Sequence, residues 1–288
     1  MARDTEETTR STVAVAAVAV VVLLAGCSGV GNQSTPRSTT TDSQTPTAAA
    51  TSTDRPVSAA TLPPGVNSTG VENASRLVAA HESAVIREGG RVETTTNATL
   101  GAGPILSETE RTATPNLTTV RYDARVTGEG VAGASVREVT IYGNETSVRQ
   151  RVTVDGNVTT ATVRNRTDTF DVALVGLATA RNPVRGALRR GNFSVTGVER
   201  TDEGAVLTLR ADEYDGGRLV APANVSGYTA TVRVTTDGLV RSVSERIEPV
   251  DGVAFGGYRF DYQYRAADSP PEPPTPANAT AGRVASNG

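Results

Sequence analysis

Lysine is missing from this 288-residue chain, so all 28 basic residues are arginine, and 31 acidic residues leave a net charge of −3. Without a basic block there is no phosphate-tracking surface, which excludes nucleic acid as a partner. Cysteine occurs once, at Cys27, so the chain cannot close an internal disulfide or assemble a thiolate metal cluster. Histidine also occurs once, at His81. A Ser-His-acid triad would have to be built on that ring, and neither a nucleophile elbow nor a phosphate-cradling glycine loop accompanies it. The sequence therefore reads as a protein that is not an enzyme, with no cofactor and no metal. Tryptophan is absent, and 7 Tyr and 4 Phe are the only aromatics. A core must then come mainly from Val, Ala and Leu, a mixture that favours strands.

What the chain does have begins with 13 largely apolar residues, Thr12 to Leu24, closed by Leu24-Ala25-Gly26-Cys27. The run is too short for a membrane span, which needs about 20 residues. Small residues before a cysteine instead predict a lipoprotein signal peptide over 1–26, with Cys27 as the lipidated first residue of the mature chain. That places the protein on the extracellular face of the cell membrane, held there by its lipid. Arg3 and Arg10 are separated, so the paired arginines of the twin-arginine export route are missing. Residues 27–64 are rich in Ser, Thr and Pro, as in Ser38-Thr39-Thr40-Thr41. They predict a disordered stalk, with a coil span of roughly 30–35 Å. A second disordered segment is predicted over 267–288, opening with Ser269-Pro270-Pro271-Glu272-Pro273-Pro274.

Residues 65–266 remain for one folded domain. Leu77, Val78, Ala84 and Val85 recur at helical spacing between Asn73, a capping residue, and Gly89-Gly90, predicting a helix over 73–88. His81 falls on or beside that stripe, where a surface or boundary position is expected. From Arg91 the period changes to two for about 75 residues. Val120, Tyr122, Ala124 and Val126 alternate with Thr119, Arg121, Asp123 and Arg125, and Asp155-Gly156-Asn157 reads as a three-residue hairpin turn. A helical region at about 169–190 follows. Its first part, Phe170 to Ala178, leaves almost no polar face and predicts cover on nearly all sides. Asn182-Pro183 predicts a break, with Asn as the cap of a second short helix. More strands follow at about 193–200, 205–210, 228–235 and 239–247. In the last strand Tyr258, Phe260, Tyr262 and Tyr264 share one face.

Two sets of residues stand out as sites. Eleven of the thirteen asparagines sit in Asn-X-Ser/Thr sequons. Asn97, Asn116, Asn144, Asn157, Asn165, Asn192 and Asn224 are the glycosylation candidates, with turn positions 144 and 157 foremost, while Asn73 is expected to be occupied as a cap. The apolar helix and the aromatic strand face supply the candidates for a hydrophobic ligand: Phe170, Leu174, Leu177, Tyr258, Phe260, Tyr262 and Tyr264. The same residues also fit a filled core. Ala211-Asp212-Glu213-Tyr214-Asp215-Gly216-Gly217 concentrates carboxylates but lacks the ordered spacing of a calcium loop, and it reads as a turn.

The order of elements behind a lipobox and a Thr-rich stalk resembles the superfamily of lipoprotein carriers and mycobacterial lipid-binding lipoproteins. The lysine-free composition and the Leu77 to His81 spacing are similar to a family of haloarchaeal lipoproteins. The resemblance spans about 65–266. It implies an α+β fold, a curved antiparallel sheet forming a half-open β-barrel closed by an N-terminal helix and a mid-chain helical hairpin. By analogy it also implies a binder of an acyl or isoprenoid chain, with envelope proteins as further partners. Delivery to an outer membrane is not carried over, since a haloarchaeal cell has none. A structural module of the envelope with a filled core is the alternative reading.

Overall fold

The structure, a computed structural model, describes residues 62–274 apart from 101–102, 129–135, 202–203 and 218. Cys27, the signal peptide, nearly all of the stalk, Asn32, Asn278 and the tail beyond residue 274 lie outside the described residues. The chain runs α1 (Ala74–Glu88), β1 (Gly90–Leu100), β2 (Gly103–Ala113), β3 (Val120–Gly128), β4 (Val136–Gly143), β5 (Ser147–Val154) and β6 (Asn157–Asn165). A helical hairpin, α2 (Asp168–Ala178) and α3 (Arg181–Arg190), leads to β7 (Ser194–Thr201), β8 (Gly204–Ala211), β9 (Val225–Thr235), β10 (Val240–Pro249) and β11 (Gly257–Arg265).

The strands form one antiparallel sheet in the order β6-β5-β4-β3-β2-β1-β11-β10-β9-β8-β7. Every neighbouring pair except β1–β11 is consecutive in sequence. The sheet is thus two meanders, β1–β6 and β7–β11, joined where β1 pairs with β11 from Arg91↔Arg265 to Thr99↔Gly257. The helical hairpin carries the chain from one outer strand to the other. β6 and β7 do not pair, so the sheet stays open, as a half-open barrel requires.

Local chemistry accounts for most of the boundaries. Asn73 Oδ1 accepts from the Arg76 amide at 2.9 Å and caps α1, worth about 1 kcal/mol. Gly89, at φ 69°, then ends it. The β5–β6 turn is shorter than the sequence suggests. Val154 pairs directly with Asn157, leaving Asp155 (φ 48°) and Gly156 (φ 80°) as a two-residue loop with both central residues left-handed. The hairpin break also differs from expectation. It falls at Ala180, which adopts φ 50° and accepts from the Val184 amide, so Asn182 and Pro183 lie inside the first turn of α3. Proline is tolerated there because first-turn amides have no partner within the helix. Asn182 caps nothing, and its Oδ1 accepts from Arg185 Nη2 at 2.5 Å.

All three helices pack on the same face of the sheet, here called the inner face. A large core joins α1 and α3 to β1 and β8–β11, with Leu77, Val184, Leu188, Leu207, Leu209, Val232 and Phe260 buried in it. A much smaller one joins α2 to the β1–β6 meander through Ala113, Leu117, Val120, Val148, Leu174 and Ala178. The expected burial of α2 on nearly all sides does not occur. Val172 is 65% exposed and Ala173 is exposed, because only one side of the helix meets the sheet. Arg166 ties this end together by donating to the carbonyls of Leu117 (3.1 Å) and Asn144 (3.0 Å) and pairing with Asp171.

Candidate functional site

The aromatic strand is spent on packing. Phe260, Tyr262 and Tyr264 are buried in the large core, and Tyr258 is half-buried against it. The Tyr264 hydroxyl donates to the Gly89 carbonyl at 2.8 Å, and burial, with Glu88 adding to it, pushes that phenol up to about 12. Gly90 makes this fit possible, since a Cβ there would lie 2.5 Å from the Tyr264 ring. Leu174 belongs to the smaller core and Leu177 is half-buried, while the Phe170 side chain lies outside the described residues. The described ligand candidates are therefore divided between two cores.

His81 is fully buried, not at a boundary as the sequence suggests. Its Nε2 lies 2.9 Å from the Thr179 carbonyl and its Nδ1 3.3 Å from the Val240 amide nitrogen. A carbonyl only accepts and an amide only donates, so the ring is neutral with its proton on Nε2. Burial lowers its pKa to about 4, with the Thr179 hydrogen bond opposing. The Tyr262 ring stands edge-on at 5.9 Å. The lone histidine thus joins α1, the α2–α3 junction and β10, and both its nitrogens are occupied in doing so.

The large core also contains a buried ion pair. Arg190, at the end of α3, donates from Nε to Glu245 Oε1 at 2.6 Å and from Nη2 to Oε2, and Tyr228 donates to Oε1 at 3.1 Å. Its guanidinium lies 5.2 Å from the centre of the Tyr258 ring. Burial works against the Arg190 charge, and the Glu245 carboxylate outweighs it, so the guanidinium is held above its ordinary value. Every charge in this cluster has its counter-charge.

The inner face of the β1–β6 meander is built differently. Tyr262, Thr94, Thr109, Ala124, Val139 and Val152 stand opposite one another in one row across six strands. The next row is Phe260, Thr96, Ser107, Val126, Arg137 and Val154. Ala98, Ile105, Ala124, Val139 and Val152 are buried, yet none belongs to either helix-packed core. Beside this buried row lies Arg111, only 6% exposed. It donates from Nη1 to Thr109 Oγ1 at 2.6 Å and to Thr94 Oγ1 at 3.3 Å, and its guanidinium lies 5.3 Å from the centre of the Tyr122 ring. Burial lowers its pKa, and the groups that oppose this are two phenols, Tyr122 and Tyr262, with no carboxylate among them. Among the described residues its Nε has no hydrogen-bond partner. Arg137, half-buried in the second row, has an unpartnered buried Nε as well.

The outer face of the same strands forms a groove of about 610 Å³ lined by Glu93, Glu108, Glu110, Asp123, Arg125 and Glu138. Its charges largely answer one another: Arg91 pairs with Glu93 (2.8 Å) and Glu110 (2.9 Å), Arg121 with Asp123 (2.6 Å), and Arg125 with Glu138 (3.3 Å). Charged side chains make up much of its lining, a poor match for an acyl chain.

No family model matches the chain, and no curated protein is similar to it in sequence. Its likenesses are to solved structures. LprF from Mycobacterium bovis superposes with a TM-score of 0.35 at 10% identity, over 72% of this chain and 99% of that one. A β-barrel-like protein of a domain of unknown function from Brucella abortus gives 0.27 at 10% identity, over 64% and 100%. A putative outer membrane lipoprotein-sorting domain from Vibrio parahaemolyticus gives 0.22 at 8% identity, over 67% and 91%.

The sequon asparagines fall on the surface in most cases. Asn97, Asn116, Asn157, Asn165 and Asn192 are exposed, and Asn224 is half-buried. Asn144 is half-buried, and its Oδ1 accepts from the amides of Thr146 (3.0 Å) and Ser147 (2.8 Å), organising the β4–β5 turn. In the acidic stretch after β8, Asp212 pairs with Arg210 at 2.9 Å and the Tyr214 hydroxyl donates to the Val220 carbonyl at 3.2 Å. Arg111, Arg137, Arg190 and Glu245 did not emerge from the sequence reading. A signal for two of them exists in the alternation. Arg111 shares a strand face with Ile105, Ser107, Thr109 and Ala113, and Glu245 shares one with Val243 and Ile247, so Glu245 is a charge on an apolar face and Arg111 a charge on a mixed one.

Proposed function

We propose that this chain is a glycosylated surface lipoprotein, tethered through lipid on Cys27, that holds a hydrophobic molecule, an acyl or isoprenoid chain, on the inner face of β1–β5 without altering it chemically. The observation that supports this most directly is the apolar row of Ala124, Val139 and Val152, buried but outside both helix-packed cores. Side chains at a strand's inner positions normally belong to a core contributed by the element packed over them. Here the helices are gathered over the other meander and the end of this one, and the small branched side chains of this row are of the kind that pack against an aliphatic chain. A non-catalytic role is consistent with His81 being committed through both ring nitrogens. The exposed sequons at the β5–β6 turn and beyond α3 are accessible to a glycosylating enzyme.

One observation favours a second reading, an envelope module with a filled core: Phe260, Tyr262 and Tyr264 pack fully among protein side chains. Native mass spectrometry of the chain after mild extraction separates the two. A co-purifying lipid of discrete mass, released on unfolding, is the result expected of a binder. An empty chain in repeated preparations, together with no uptake of added lipid, selects the filled module. The same spectra report the number of glycans, and the bare lipidated mass would overturn the glycosylated part of the reading.

A further inference from the structure

The open sheet has two outer strands, and the chain treats them differently. A free edge offers a row of unpaired amides and carbonyls to any other strand, and proteins blunt it with charge, proline, glycine or a bulge. β7 carries several of these devices. Glu199 and Arg200 are charged and exposed, Gly197 interrupts the run, and the register against β8 shifts between Val195 and Gly197. The middle of β6 has little of this. Val158-Thr159-Thr160-Ala161-Thr162-Val163 lacks charge, proline and glycine and is β-branched everywhere but at Ala161, the composition that pairs most readily with copies of itself. Val158 is 48% exposed and Val163 69%. The bulge in β6 lies near its turn, between the pairs Val158↔Thr153 and Thr160↔Val152, and from Thr160 to Asn165 the register is unbroken. No strand covers the outer edge of β6 among the described residues. Instead, β6 has a sequon at each end, Asn157-Val158-Thr159 and Asn165-Arg166-Thr167, and both asparagines are exposed.

We propose that β6 is an adhesive edge for a second copy of this chain, and that sugars on Asn157 and Asn165 keep it unpaired. This rests on the reading of the chain as a glycoprotein and gives two of its sequons a task. Self-complementarity makes a second copy the fitting occupant. In a two-fold antiparallel pairing of β6 with itself centred on Ala161, position 158 faces position 164 and position 160 faces position 162, so Arg164 meets a valine and no like charges oppose. In the same register position 157 of one copy faces position 165 of the other. Directly opposed side chains stand on one face with Cβ atoms about 4.5–5.5 Å apart. Two bare asparagines fit in that space, and two bulky sugar chains do not. The sequon spacing therefore sets sugar against sugar at both ends of the paired strands. The chain next to Asn165 is anchored: the Arg166 amide donates to the Thr146 carbonyl at 2.9 Å, and its guanidinium donates to the Leu117 carbonyl at 3.1 Å.

The test uses the full mature chain carrying Cys27→Ser, so that lipid does not drive association, made in its own cells and followed by sedimentation velocity and glycopeptide mapping. This parent is expected to be monomeric and to carry sugars at both sites. The double variant Asn157→Gln, Asn165→Gln is expected to dimerise with a dissociation constant of about 10 µM, as suits a small interface. In that background Ala161→Lys and Ala161→Glu each set like charges against one another at the centre of the pair, and each is expected to weaken the dimer about tenfold. Mixing the Lys and Glu chains is expected to restore it, which a folding defect in either would not allow. A monomeric double variant overturns the adhesive edge and leaves the glycoprotein reading standing. A dimer indifferent to charge at position 161 also overturns it, by placing the contact elsewhere. A parent that dimerises with both sites occupied overturns the guarding role of the sugars. Bare asparagines at 157 and 165 with sugars elsewhere overturn that role too, while a chain without any sugar overturns the glycoprotein reading itself.

Discussion

The two meanders of this sheet are made of similar strands and end in different states. In β7–β11, α1 and α3 lie across the inner face, the core is large, and the buried carboxylate Glu245 meets Arg190 and Tyr228. In β1–β6, α2 covers only one end, the helix-packed core is small, and the inward cation Arg111 meets hydroxyls and phenols. The contrast separates two uses of a polar group on an apolar face. A charge paired within the fold specifies how a helix sits on a sheet. A charge left unpaired is a demand the protein itself does not meet.

The comparison can be broken most forcefully at Glu245. Glu245→Gln keeps the shape but leaves Arg190 buried without its counter-charge, and is expected to lower stability by about 3–5 kcal/mol, measured by urea unfolding. A loss under about 1 kcal/mol would mean that the ion pair does not anchor α3. Acid acts next, through His81. Its pKa is about 4 in the fold, against about 6.5 in an unfolded chain. Between those values the unfolded state binds more protons, so stability rises with pH across the window. Stability is therefore expected to fall by about 3 kcal/mol on going from pH 7 to pH 4. Thermal melts at several pH values check this, and His81→Leu should flatten the slope between pH 6.5 and pH 4 while lowering stability throughout. The smallest effect belongs to the outer hairpin of the β1–β6 meander. Gly156 is left-handed with nothing within 4 Å of an added Cβ, so Gly156→Ala introduces backbone strain without a clash. It is expected to cost about 1 kcal/mol, seen as faster hydrogen exchange in β5–β6 with β7–β11 unchanged. Equal acceleration in both meanders would show that they unfold as one unit, and the contrast drawn above would lose its energetic meaning.

Local signals were legible where local chemistry rules. Asn73 and Gly89 bracket α1 because a side-chain acceptor and a left-handed residue are what helix ends require. The alternation of Tyr258 to Tyr264 shows which face of β11 points inward. The helical hairpin was harder to place. Asn182-Pro183 carries the visible break signal, yet the chain turns at Thr179-Ala180, where the Thr179 carbonyl accepts from buried His81. That hydrogen bond spans 98 residues and leaves no local trace. The degree of burial of α2 departs from what its composition suggests for a related reason. Composition reports how apolar a helix is, but the number of neighbours it finds depends on where its sheet ends.

The sequence by itself determined that this chain is strand-rich, built around small branched side chains, and that two charged residues, Arg111 and Glu245, share strand faces with apolar neighbours. Only the tertiary structure decided their different fates. Whether an inward charge finds a partner depends on which helix the crossing hairpin lays over which strand, and that is set by packing between residues far apart in the chain. Arg190 reaches Glu245 across 55 residues, while no carboxylate reaches Arg111 among the described residues.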